Sequence, residues 1–265
     1  MRIVVCVKHV PDLQSERALT PEGLAVRGED DVLNELDENA VEAAVSLAEE
    51  HGGEVVALTM GPEDAVDAVR RALQMGAKQG VHVRDDALAG SDVVGTAHVL
   101  AAAVRALDAE EPVDLVVTGM AAMDGLTAML PAALAGCLDL PQLTLASEVE
   151  VDGATVRIRR EIGDAAERLE APLPALVSVT DQANEPRYPN FKAIIGAKKK
   201  PVRTWGLADL EPHLGAASAT VGAHGAGTRV LRAAQSPARE GGRIVTDSGD
   251  GGAQLATYLV ENKLV

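Results

Sequence analysis

The chain has 265 residues, 47% hydrophobic and only 2% aromatic, and its 40 acidic against 24 basic residues give a formal net charge of −16. That length allows one large or two smaller domains with a substantial core, and the scarcity of rings implies a core of Ala, Val and Leu, suited to helices packed on a parallel sheet. The acidic balance argues against nucleic acid as a partner, because that binding requires Lys and Arg to neutralise phosphates.

Through residue 140, short β-branched runs alternate with longer amphipathic stretches. Residues 2–7 (RIVVCV), 54–59 (EVVALT), 80–83 and 114–118 (DLVVT) read as buried strands. Between them lie helical patterns at 37–50, opening on Asp37 as a capping residue and closing before Gly52 and Gly53, at 62–75 with Pro62 near its start, and at 92–107. Strands separated by helices need crossover connections, so the expected fold is a doubly wound, mainly parallel α/β sheet of the Rossmann type. Ligands of such sheets bind outside the carboxyl ends of the strands, which here are residues 8–12, 60–62 and 119–127.

After Gln142 the pattern becomes alternating strands joined at Asp152 and Gly153, an antiparallel hairpin. The segment 184–200, NEPRYPNFKAIIGAKKK, then holds two of the chain's four aromatic side chains, Tyr188 and Phe191. Pro186 and Pro189 force an extended loop. An apolar knob in a rim of Arg187, Lys192 and Lys198 to Lys200 has the composition of a protein-binding anchor; the alternative is a loop whose rings fold back on their own domain. A short helix follows around residues 191–200. The remainder is rich in Gly, Ala and Ser, with one final helical pattern at 252–262; it is either disordered or an arm that orders across a partner. The division expected is a nucleotide-binding domain at 1–200 and a C-terminal arm at 201–265.

Cys6 and Cys137 stand in apolar surroundings without CxxC spacing, so neither a disulfide framework nor a metal site is expected. The first apolar run is too short for a signal peptide, and none reaches the roughly 18 residues of a spanning helix; a soluble, cytoplasmic protein without membrane insertion is the expectation.

Two stretches point to a ligand. The turn GMAAMDGLTAML carries Gly119 and Gly125 before a helix from about Thr127, so backbone amides and a helix N-terminus can meet a phosphate there. It lacks the GxGxxG and P-loop patterns, and a tight strand-to-helix turn needs glycine in any case. In LNELDENA, Asn34 and Asp37 either bond adenine or ribose or cap the following helix. No GxSxG, HExxH or Ser, His and Asp constellation is present; His9 is the only histidine near the inferred site, and a lone histidine is more often structural than a base.

These segments, VCVKHVPD, NELDENAVEAAV, RRALQMGAKQGVHV, IRREIGDAAERLEAPLPALVSV and NEPRYPNFKAIIGAKKK, resemble in order and spacing the beta subunit of electron transfer flavoprotein, over residues 1 to about 210. The resemblance implies an electron carrier with no substrate-transforming site of its own. Its alpha subunit holds most of the FAD site, and the beta subunit buries a structural AMP. It implies electrons arriving from acyl-CoA and related dehydrogenases of fatty acid β-oxidation and leaving to a quinone oxidoreductase. Matched position by position, the AMP pocket falls on Cys6, on Asn34, Glu35, Leu36 and Asp37, on Met60, and on the run Gly119, Met120, Ala121, Ala122, Met123, Asp124, Gly125, Leu126, Thr127, Ala128, Met129 and Leu130. The dehydrogenase-docking loop falls on Arg187, Tyr188, Phe191, Lys192, Ile194 and Ile195, with Phe191 where the family often has leucine, and Glu161 matches a position facing an arginine of the alpha subunit. The chain departs from the pattern at Ala121, Leu126 and Met129, where polar residues are usual, at Gly163, Asp164 and Ala165, and in its longer tail. Two other readings stay open: a freestanding adenine-nucleotide sensor, and a bifurcating subunit with a second FAD in place of AMP.

Overall fold

The computed structural model describes residues 1–15, 18–21, 23–28, 30–232, 234, 237, 242 and 244–265. In chain order it contains β1 (Arg2–Cys6), β2 (His9–Pro11), β3 (Asp31–Leu33), α1 (Glu35–His51), β4 (Glu54–Met60), α2 (Val66–Met75), β5 (Gln79–Val83), α3 (Val93–Glu110), β6 (Leu115–Gly119) and α4 (Leu130–Leu138). The second half adds β7 (Gln142–Asp152), β8 (Thr155–Ile162), β9 (Ala165–Pro172), β10 (Ala175–Val179), α5 (Phe191–Ala197), β11 (Val202–Trp205), α6 (Leu207–Leu214), α7 (Gly222–Gly225) and α8 (Gly251–Glu261).

Nine strands form one sheet in the order β11-β5-β4-β1-β6-β10-β7-β8-β9. The seven from β11 to β7 run parallel, and β8 and β9 continue antiparallel. Strands β1, β6 and β10 are buried along their whole length, which is why they read as unbroken apolar runs: a parallel strand covered on both faces has no polar side. One face packs under α1 and α2 through Val41, Val45, Val69 and Leu73. The other packs under α3 and α4 through Val99, Leu100, Val104 and Leu134.

Three features differ from the sequence expectation. The hairpin at Asp152 and Gly153 is followed by a second turn at Gly163, whose φ of 59° is left-handed, so the excursion is a three-stranded meander. Next, β10 returns to the middle of the parallel sheet between β6 and β7; its run of five buried residues has no polar alternation to mark it as an edge. Finally, the compact unit extends from Met1 to Arg232, beyond the expected boundary at residue 200, because β11 adds to β5 as the outermost strand, from Val202↔Gly80 to Trp205↔Val83. Ala233–Val265 form a separate unit. It contains α8, on which Leu255, Tyr258 and Val260 are exposed. Within the glycine-rich tail, residues 233, 235, 236, 238–241 and 243 lie outside the described residues. Among the described residues, no helix is long and apolar enough to cross a membrane.

Candidate functional site

The carboxyl ends of β1, β4 and β6 bring together Cys6, Met60 and Gly119, and the segment 120–129 leads from β6 to α4. Gly119 is required by close approach: a Cβ there would lie 2.5 Å from Asp37 Oδ1 and 2.8 Å from the carbonyl oxygen of Leu36. The start of α1 is thereby pressed against the end of β6.

Asn34 and Asp37 make contacts that cap neither end of the helix. Asn34 precedes α1, yet its side chain makes no cap. It is fully buried and holds the 120–129 loop instead, donating from Nδ2 to the Ala121 carbonyl at 2.9 Å and accepting from the Met123 amide at 2.9 Å. Asp37 lies inside the first turn of the helix that it was expected to cap, and its Oδ2 accepts from the Lys8 amide at 2.8 Å. Both side chains are consumed by bracing, so their polar atoms point at the protein's own backbone. Glu35 is exposed and Leu36 is buried.

The electrostatics are those of a buried cluster at the strand ends. Burial pushes the Asp37 carboxyl up to about 7, against the hydrogen bonds from Asn34 and the Lys8 amide that pull it down. Burial, aided by Asp37, pushes the Cys6 thiol up to about 12, which makes Cys6 an inert core residue. Lys8 Nζ reaches Asp124 Oδ2 at 2.7 Å and Arg27 stands 3.9 Å from the same oxygen, so the loop's only acid is neutralised from two sides. Thr59 and Thr118, each one residue before a strand end, carry buried hydroxyls with no hydrogen-bond partner among the described residues. His9 is buried in β2 with Nδ1 3.9 Å from Asp31 Oδ2.

Beyond Asp124 the loop is open. Gly125, Leu126, Thr127, Ala128 and Met129 are exposed, while Met120, Ala121, Ala122, Met123, Asp124 and Leu130 are half-buried. Leu126 and Ala128 adopt φ of 49° and 51°, conformations that cost a non-glycine residue roughly 1 kcal/mol or more. Met129 follows in the right-handed region at φ −98° and ψ −20°. Such a left–right succession turns consecutive amides toward one point and forms an anion-binding concavity. Among the described residues, the amides of Thr127, Ala128 and Met129 donate to no protein acceptor. The helix starts at Leu130, three residues later than the sequence pattern indicates.

The second candidate surface is the loop 184–191 with α5. Tyr188 and Phe191 are 87% and 78% exposed, so the rings do not fold back onto the domain. Pro189 between them is buried, Lys192 and Ile195 are exposed, and Ile194 is half-buried. Two basic residues of the expected rim face inward. Lys200 Nζ donates to the carbonyls of Leu73 and Ala77 at 2.6 and 2.7 Å, tying the end of α5 to α2. Arg187 turns toward α1 and pairs with Glu42 and Glu49. The residues that receive this loop, Asn39, Glu42, Ser46 and Glu49, were not singled out in the sequence. Their spacing of three, four and three along one helical face was the available signal, a polar stripe on an otherwise buried helix.

Glu161 is exposed at the end of β8, and Arg159 lies 2.6 Å from its carboxylate. It is thus paired within the chain and not merely solvated. Among the described residues no group of three or more His, Cys, Asp or Glu side chains is arranged to hold a metal.

A doubly wound α/β sheet with a concave turn at its strand ends belongs to the class in which ligands sit in the crevice outside the carboxyl edge. Residues 23–210 match the electron transfer flavoprotein domain. The electron transfer flavoprotein subunit beta of Mycobacterium tuberculosis is 43% identical over 270 residues, covering 99% of each chain. Its counterpart in Clostridium acetobutylicum is 35% identical over 246 residues, 92% of each. The caffeyl-CoA reductase-Etf complex subunit CarD of Acetobacterium woodii is 33% identical over 248 residues, 93% of this chain and 92% of its own. The chain belongs to the electron transfer flavoprotein beta-subunit family.

Proposed function

We propose that this chain is the beta half of a heterodimeric electron carrier, that its strand-end pocket takes AMP, and that its 184–200 loop docks the dehydrogenase that donates electrons. The observation that carries the pocket reading is the Ala128–Met129 concavity, whose amides have no acceptor among the described residues, beside the start of α4. Backbone donors of this kind suit a phosphate without a lysine clamp, which fits a loop that has Ala121, Leu126 and Met129 where side-chain donors are usual in the family. The hydroxyls of Thr59 and Thr118, without a partner among the described residues, stand one residue before the ends of β4 and β6 and support a polar ligand there.

Bound FAD, held mainly by the alpha subunit, supplies the electron-accepting chemistry. This chain's residues bind and orient. Asn34 and Lys8 hold the pocket loop, Phe191 and Tyr188 present an apolar anchor, and Glu161 and the exposed α8 are offered to the alpha subunit. Under this reading the chain has no substrate-transforming site of its own, and acyl-CoA dehydrogenases and a quinone oxidoreductase are the electron donors and acceptor, in the cytoplasm. The C-terminal unit, Ala233–Val265, packs on the alpha subunit.

The test is co-expression with an alpha subunit, purification of the complex, and identification of every bound nucleotide after acid release. One FAD and one AMP per heterodimer is the expected result. Two FAD would assign the pocket to a second flavin and make the chain a bifurcating subunit; a soluble monomer holding ATP would overturn the carrier reading in favour of a sensor.

A further inference from the structure

The exposed rings at 188 and 191 raise a physical question. A loop free to move would lay two large apolar side chains on the nearest surface, since covering them is favourable. Something must hold the backbone so that they stand out. Arg187 Nε and Nη2 grip the two oxygens of Glu42 at 2.8 and 3.0 Å, and the Arg187 amide donates to the same Glu42 Oε2 at 2.9 Å. The outer guanidinium nitrogens reach Glu49 at 2.8 and 3.0 Å. Glu42 is only 11% exposed on its side chain and also accepts from Ser46. Three residues upstream, Asn184 and Asn39 exchange bonds, Asn39 Nδ2 to the Asn184 carbonyl at 2.9 Å and Asn184 Nδ2 to the Asn39 carbonyl at 3.0 Å. Downstream, Pro189 is buried, Asn190 caps α5 by accepting from the Ala193 amide, and Arg71 of α2 stands 5.5 Å from the centre of the Tyr188 ring.

We infer that the Arg187–Glu42–Glu49 clamp is a positioning device: it fixes the 184–191 backbone on α1 so that Tyr188 and Phe191 are presented to a protein partner already in their docking geometry. This rests on the reading of that loop as a docking surface. A bidentate guanidinium–carboxylate pair that also takes the backbone amide sets both the position and the direction of the chain at residue 187. The backbone after residue 187 has three residues before α5, and one of them is a buried proline, so its course is determined at both ends. An anchor held in place before contact binds without the cost of ordering the loop. The cationic head of Arg187 is meanwhile neutralised inside the protein, which leaves Lys192, Lys198 and Lys199, all exposed, as the basic groups facing outward.

The clamp is tested in the assembled heterodimer by flavin reduction with an acyl-CoA dehydrogenase at varied carrier concentration, beside trypsin cleavage at Arg187–Tyr188. Glu42→Gln keeps the shape of the side chain and removes its charge. It is expected to raise the KM for the carrier by roughly tenfold, with kcat within about twofold, and to accelerate cleavage at Arg187. Arg187→Lys keeps the charge without the fork and is expected to raise KM as well. Should Glu42→Gln compromise folding, Glu49→Gln on the exposed side is expected to raise KM about twofold and also to speed cleavage. Phe191→Ala separates the two claims. If it slows transfer while the Glu42, Glu49 and Arg187 variants leave KM and cleavage unchanged, the clamp is overturned and the docking loop stands. If none of the variants, Phe191→Ala included, changes transfer, the docking reading falls and the inference with it.

Discussion

The two loops that meet α1 are held in opposite ways. The 184–191 loop is completed by the protein's own charges: Arg187 finds Glu42 and Glu49, the asparagines at 39 and 184 satisfy each other, and the rings of Tyr188 and Phe191 are left facing out. The 120–129 loop is braced up to Asp124 by Asn34 and Lys8 and then left unfinished, with two non-glycine residues in left-handed conformations and three amides without protein acceptors among the described residues. A surface meant for another protein can be finished in advance, because apolar contact needs no free hydrogen-bonding group. On the proposed reading, the donors left free in the 120–129 loop are those that an anion would take. The same helix takes part in both cases, through Asn34 at its entry for one loop and its polar stripe of Asn39, Glu42, Ser46 and Glu49 for the other.

The sharpest way to break the nucleotide side is at its tightest contact. Gly119→Ala drives a Cβ into the Leu36 carbonyl and Asp37, neither of which can withdraw without moving α1. A loss of about 4 kcal/mol in stability is expected, near the upper end for single substitutions, with release of bound nucleotide, measured by denaturant unfolding and nucleotide content.

The next effect is pH dependence. The native Asp37 holds its proton up to about 7, whereas an unfolded aspartate releases it near 4. Native protein therefore binds more protons across that window, and Asp37's contribution to stability is fully present below pH ~4 and is lost as pH rises through about 7. The loss across the window is on the order of 4 kcal/mol. Asp37→Asn should flatten this component of the stability profile between pH 4 and 7; an unchanged slope would remove Asp37 as its source.

On the docking side the expected effect is smaller and confined to binding. Phe191→Ala should cost about 2 kcal/mol of docking free energy, seen as slower dehydrogenase-to-flavin transfer. Nucleotide content should not change, because the ring is exposed and α1 is untouched. The smallest effect belongs to Glu161→Lys. An exposed ion pair contributes about 0 to 1 kcal/mol, and here Arg159 already competes for the carboxylate, so transfer rates should shift at low salt and recover at high salt without dissociating the subunits.

Much of the architecture was legible from local pattern. Unbroken β-branched runs separated by amphipathic stretches determine parallel strands with crossover helices, because a strand covered on both faces has no polar alternation and a parallel pair cannot be joined by a tight turn. The two prolines around residue 187 and the lysine-rich flank likewise determine an extended loop in advance. The resemblance carried by those segments led to the family.

What tertiary structure alone decided are the partners of polar side chains. The motif around Asn34 and Asp37 is equally consistent with capping, with ligand contact and with bracing; only the meeting of α1 with the ends of β1 and β6 selects bracing. Arg187 looks like a rim residue until α1 places Glu42 and Glu49 beneath it, more than a hundred residues away in the chain. The placement of β10 and β11, each entering a sheet begun far earlier, was decided the same way. Backbone preferences act over a few residues and are written locally, whereas a carboxylate or an amide is satisfied by whatever the fold brings within about 3 Å.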